Sequence, residues 1–170
     1  MIRKFNLFFL TLLNIGKIKY APGTFASLIT CLLFLLLINV VDISILLFCT
    51  LIIFLYSFIA INASYDAFDT NDPQEIVIDE AVGQMLPLLA IPIYETLYPV
   101  PKVYYCIAAF LLFRLFDIWK PYPISYVDNN AKGSLGIMLD DILAGIYTII
   151  ILTVAFFFFR RVNLWNCLVK

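Results

Sequence analysis

Residues 43–61 read ISILLFCTLIIFLYSFIAI, nineteen positions without one charge. A helix of that length rises about 29 Å at 1.5 Å per residue, close to the ~30 Å hydrocarbon core of a bilayer. Lipid offers no partner to backbone N–H and C=O groups, so such a run must satisfy them internally, as a helix. Comparable runs cover Phe25–Val41, the stretch up to about Tyr94, Lys102–Trp119 and Ile142–Phe159. A shorter one, Phe5–Ile15, is flanked by Arg3, Lys4, Lys17 and Lys19 and suits the headgroup layer. The expected fold is therefore an all-α integral membrane protein with four to five transmembrane helices plus a short N-terminal interfacial helix. At 170 residues it forms one membrane-embedded domain, 1–170.

Punctuation refines this reading. Pro22-Gly23 makes a turn, and Thr24 or Ser27 is placed to cap the next helix or to meet an anion at its start. Asp72-Pro73-Gln74-Glu75 resembles a capping box, with Asp72 as N-cap, Pro73 at the first helical position and Glu75 reaching back. That helix would carry Asp79 and Glu80 one to two turns in, then bend at Pro87 and Pro92. Pro121 and Pro123 stop the helix ending near Trp119, and a loop runs on to Asp140 and Asp141 at the start of the last span. One turn beyond that pair, Ala144 and Gly145 permit close approach of another helix.

In a chain that is 64% hydrophobic and 14% charged, the position of each charge carries information. Ionisable groups cost about 2.5–3.5 kcal/mol each at mid-bilayer, so they concentrate where they are needed. With five spans and the N-terminus inside, ten of the twelve acids fall on one side and only Asp42 and Glu95 on the other. The segment Phe113–Asp141 is the densest, with Arg114, Asp117, Lys120, Asp128, Lys132, Asp140 and Asp141.

Several classes are excluded. There is no histidine, which removes His-based acid–base and phosphohistidine chemistry and leaves oxygen ligands for any metal. A net charge of −1 gives no footprint for nucleic acid. Cys31, Cys49, Cys106 and Cys167 lack CxxC spacing and read as small packing residues. Arg3 and Lys4 before an apolar stretch imitate a signal peptide, but no small-x-small cleavage site follows.

Asp79/Glu80, Asp117 and Asp140/Asp141 converge in this topology. Packed carboxylates repel unless a cation compensates, and Mg²⁺ is commonly held by carboxylates together with substrate phosphate oxygens. Arg114 and Lys120, at i and i+6 with Asp117 between them, supply positive charge for a phosphate. The chemistry indicated is hydrolysis of a phosphate ester at the membrane surface. Taken singly, each of these residues also fits a helix cap or an interfacial ion pair.

Pro22-Gly23-Thr24, Asp79-Glu80 with Gly83, FRLFDIWKP over 113–121, and GIMLDDI over 136–142 with Ala144-Gly145 together resemble the phosphatidylglycerophosphatase A family. The resemblance spans roughly 5–160. Ala26 and Ser134 stand where glycine is common in that family. The resemblance implies a bacterial inner-membrane, multi-pass, Mg²⁺-dependent phosphatase whose site faces the cytoplasm. It would convert the membrane phospholipid phosphatidylglycerophosphate to phosphatidylglycerol. The family's motif acids fall on Asp79, Glu80, Asp117, Asp140 and Asp141, and its basic residues on Arg114 and Lys120. On this reading Asp79, Glu80, Asp140 and Asp141 hold metal, and Asp117 is a further ligand or orients water. Arg114 and Lys120, with Thr24 and Ser27, hold phosphate. Two other classes compete: a small cation transporter or channel subunit with an acidic cytoplasmic vestibule, and a structural subunit whose acids dock a partner. Oligomeric state is not set by the sequence.

Overall fold

The computed structural model describes residues 2–64, 74–97 and 101–168, with side chains up to residue 158. Among these residues every regular element is helical. In order they are α1 (Ile2–Leu10), a 3₁₀ turn (Ile15–Lys17), α2 (Pro22–Leu37), α3 (Ile43–Ser64), α4 (Ile78–Leu89), α5 (Ile91–Leu97), α6 (Lys102–Trp119), α7 (Ile124–Asn130) and α8 (Gly133–Leu168).

Among the described residues, two helices are long and apolar enough to cross a membrane, Ile43–Ser64 and Gly133–Phe158. Helix α2 is apolar but has 16 residues, and α6 has 18 yet carries Lys102, Arg114 and Asp117. Much of the outer surface is apolar. Leu36, Phe48, Ile59, Leu111, Val154 and Phe157 are each at least 60% exposed.

Several starts differ from the sequence expectation. Helix α2 begins at Pro22, preceded by Ala21 in a left-handed conformation, and neither Thr24 nor Ser27 caps it. Proline needs no N–H at the first helical position, so it can open the helix three residues earlier than the apolar run suggests. Asp72 and Pro73 lie outside the described residues. Glu75 sits in a turn and α4 starts only at Ile78, which puts Asp79 and Glu80 in its first turn. That start is held from outside: the Val77 N–H donates to the Leu10 carbonyl at 3.0 Å, and Gly16 packs so tightly beneath Glu75 that a Cβ there would overlap the Glu75 carbonyl oxygen. Pro87 is accommodated within α4, and the break falls at Ala90, just before Pro92. The supposed loop before Asp140 is instead α7 plus the first two turns of α8, so Asp140 and Asp141 are interior helical residues.

The core follows from these placements. Phe34, Leu88, Ile91, Tyr105 and Ala109 pack in one cluster with Cys31 and Cys106, as expected of small packing residues. Leu10, Ala60, Ile61, Val82 and Met138 form another. At one end of the bundle, Lys102 donates to the Asn39 side-chain oxygen at 2.8 Å and pairs with Glu95 at 3.7 Å. The opposite end gathers the starts of α2, α4 and α8 and the finish of α6.

Candidate active site

Helices α4 and α8 cross on glycine. A Cβ on Gly145 would lie 2.5 Å from the Gly83 carbonyl oxygen, and one on Gly83 would lie 2.7 Å from the Asp141 carbonyl oxygen. Only hydrogen at both positions allows the backbones to meet. Asp79 and Glu80 precede Gly83 by one turn, and Asp141 precedes Gly145 by one turn. The close crossing therefore brings those three carboxylates together, with one oxygen of each lying within 4.8 Å of the others.

They line a cavity of about 680 Å³. Its walls also carry Pro22 and Gly23 of α2, Arg114, Asp117 and Lys120 from the end of α6, Asp128 and Asn129 of α7, and Lys132, Gly133 and Asp140 around the start of α8. Among the described residues, three cations thus face six acids. The volume suits a headgroup-sized ligand.

Polar contacts divide the charges. The Arg114 guanidinium lies 2.5 Å from Asp117 Oδ2. Lys120 Nζ donates to Asp128 Oδ1 at 2.5 Å and to Asp140 Oδ2 at 2.8 Å. Burial works against the Lys120 charge, but the hydrogen bonds and negative charges of Asp128 and Asp140 outweigh it and raise its pKa, so it stays cationic at neutral pH. Glu80 is seated on Gly23, where a Cβ would collide with its carboxylate. Asp141 lies beside both Glu80 and Asp117.

One oxygen each of Asp79, Glu80, Asp140 and Asp141 is buried without a hydrogen-bond partner. Asp79 is 9% and Asp141 3% exposed. Unpartnered buried carboxylate oxygens are costly, and like charges at these distances repel. A divalent cation relieves both, and an all-oxygen set of this kind fits Mg²⁺.

Most of the expected site is thus brought together, with two differences. Asp140 faces Lys120 rather than joining Asp79, Glu80 and Asp141, because consecutive helical residues point about 100° apart. Thr24 and Ser27 are not on the cavity wall, and the fully buried Ser27 hydroxyl donates to the Gly23 carbonyl at 2.9 Å. Two further roles emerge only in the fold: Asp128 reaches Lys120 because α7 folds back over the end of α6, and Gly23, marked in the sequence only by Pro-Gly at a helix start, seats Glu80.

A Bacteroides thetaiotaomicron protein provisionally named a phosphatidylinositol-3-phosphatase is 38% identical over 143 residues, covering 82% of this chain and 86% of the relative. Phosphatidylglycerophosphatase A of Haemophilus influenzae is 38% identical over 136 residues, 80% of this chain and 79% of that one. The Escherichia coli protein of the same name is 40% identical over 76 residues, 45% of this chain and 40% of its own. No solved structure matches. The family model for Phosphatidylglycerophosphatase A matches residues 8–157, a stretch that contains every wall residue of the cavity, and the chain belongs to that family.

Proposed function

We propose that the protein hydrolyses the terminal phosphomonoester of phosphatidylglycerophosphate, giving phosphatidylglycerol and inorganic phosphate, and that it needs Mg²⁺. The observation that carries this is the trio Asp79, Glu80 and Asp141, with unpartnered buried oxygens, beside Arg114 and Lys120 in one cavity. Asp79, Glu80 and Asp141 would hold the metal, with Asp140 at its edge. Bound there, Mg²⁺ would polarise the phosphoryl oxygens and favour water as nucleophile.

The side chains supply the rest. Arg114 and Lys120 offer N–H donors to the phosphate oxygens and counter the charge that builds as the P–O bond to glycerol breaks. Asp117, with Oδ2 held by Arg114, keeps its other oxygen to orient the attacking water and accept its proton. The departing glycerol alkoxide takes a proton from solvent.

The exposed apolar surface of α3, α6 and α8 suits a lipid environment of four to five spans in a bacterial inner membrane. The cavity would face the cytoplasm, at the end of the bundle where α4 begins against α1. A transport path receives no support from the far end, where Glu95 is engaged by Lys102. A second substrate, phosphatidylinositol 3-phosphate, is suggested by the name of the Bacteroides relative.

The test is phosphate release from both lipids by purified protein in neutral detergent micelles, with Mg²⁺, with EDTA, and with Asp79→Asn. Release from phosphatidylglycerophosphate that needs Mg²⁺ and falls at least about 10³-fold in the variant is expected. Release unaffected by EDTA, or retained by Asp79→Asn, would refute the carboxylate site.

A further inference from the structure

The cations on the cavity wall are not equivalent. Arg114 is engaged by Asp117, and Lys120 by Asp128 and Asp140. Lys132 is exposed, lines the same cavity, and has no ion pair or hydrogen bond among the described residues. It sits at the junction of α7 and α8, eight residues before Asp140. That is about 12 Å along the helix axis. Five bonds separate a lysine Cα from Nζ, a reach of about 6 Å, so the ammonium can come within roughly 6 Å of the level of the carboxylates.

Resting on the function proposed above, we infer that Lys132 forms a second phosphate subsite, one that binds the phosphodiester joining the headgroup to the diacylglycerol. The spacing supports this. In phosphatidylglycerophosphate three carbons separate monoester from diester, so the two phosphorus atoms are six bonds apart, about 7 Å when extended. The inositol lipid, with its diester on carbon 1 and monoester on carbon 3, has the same three-carbon separation. A subsite at that distance accepts both headgroups and disfavours phosphatidic acid, which has a monoester and no diester. An exposed ammonium with no partner among the described residues, on a wall where acids outnumber cations, also gives an anionic lipid a first point of attachment.

The experiment compares wild type, Lys132→Gln and Lys132→Arg in neutral detergent. For phosphatidylglycerophosphate, Lys132→Gln should raise KM about threefold to tenfold, the loss of one charge-assisted contact, with kcat within twofold. KM for phosphatidic acid and inhibition by inorganic phosphate should not change, because neither presents a diester. Lys132→Arg should restore most of the loss. Short-chain phosphatidylglycerol, which has only the diester, should bind Lys132→Gln more weakly by the same factor in a direct titration that needs no turnover. Equal effects on phosphatidic acid or inorganic phosphate would place Lys132 at the cleaved phosphate and overturn the inference. So would an unchanged KM or an unchanged phosphatidylglycerol titration. A wild-type protein without activity on phosphatidylglycerophosphate would refute the proposed function instead, and the phosphatidylglycerol titration would still decide the role of Lys132.

Discussion

Gly145→Ala tests whether the helix crossing sets the site. The added methyl would lie 2.5 Å from the Gly83 carbonyl oxygen and 3.2 Å from Leu86 Cδ1, whereas ordinary contact begins at 3.4 Å. The carbonyl belongs to a helix and cannot swing aside, so α4 and α8 must part by about 0.9 Å, the difference between 3.4 and 2.5 Å. Overpacking of this kind costs about 1–3 kcal/mol, of which Ala regains up to about 1 kcal/mol over Gly in a helix. Net destabilisation should be about 0–3 kcal/mol, and the protein should remain folded. Activity should suffer more. The wedge acts one turn from Asp141 on one helix and one turn from Asp79 and Glu80 on the other, and a misplacement near 1 Å can cost about 10²-fold in rate. Gly83→Ala, meeting the Asp141 carbonyl oxygen at 2.7 Å, should behave alike. The assay is kcat/KM for phosphate release beside thermal unfolding followed by circular dichroism. A Gly145→Ala protein with wild-type kcat/KM would refute the claim that the glycine crossing positions the carboxylates. A rate loss wholly explained by the unfolded fraction would refute it equally.

Two other substitutions separate site from scaffold. Arg114→Lys keeps the charge but loses the planar fork that lies 2.5 Å from Asp117, and phosphate release should drop about tenfold with no change in helicity. Tyr94→Phe removes a hydroxyl 2.9 Å from Thr153 Oγ1 and 3.2 Å from the Ile149 carbonyl, so stability should fall by about 1 kcal/mol, read as a lower unfolding midpoint, with kcat unchanged.

How much of this was legible beforehand depended on distance along the chain. Apolar runs announced helices, and Asp79, Glu80, Asp117, Asp140 and Asp141 all read as one converging set, of which the structure turns Asp140 toward Lys120. Their helices are long and regular enough for a residue's end of the bundle to follow from its position. Gly83 and Gly145 were visible as small residues one turn from acids, which is the spacing the crossing uses. The errors came where a short polar stretch had to be assigned. Residues 124–136 are rich in Asn, Gly and Ser, which favour turns locally, yet they form α7 and the opening of α8 because Ile124 and Ile137 are buried against the bundle. That added helix carries the Asp140 side chain away from the metal-ready trio and onto Lys120. By its place near a helix start Ser27 suits a cap or a phosphate contact, but an earlier start at Pro22 puts it a full turn inside, where it bonds to its own helix.

Every charged side chain described on the cavity wall lies in the first three turns or the last two turns of its helix, or in the connection beside it. The remaining length of α3, α6 and α8 meets the outside mainly through Leu, Ile, Val and Phe. Those two regions should tolerate change very differently. With that belt in lipid, as proposed above, one aliphatic side chain is nearly as good as another, and the belt can drift among apolar residues at little cost. The charged end has no such latitude, because its ion pairs and glycine contacts are specified atom by atom. Two proteins of this architecture can therefore diverge over most of their length and still present the same few oxygens and nitrogens to a phosphate.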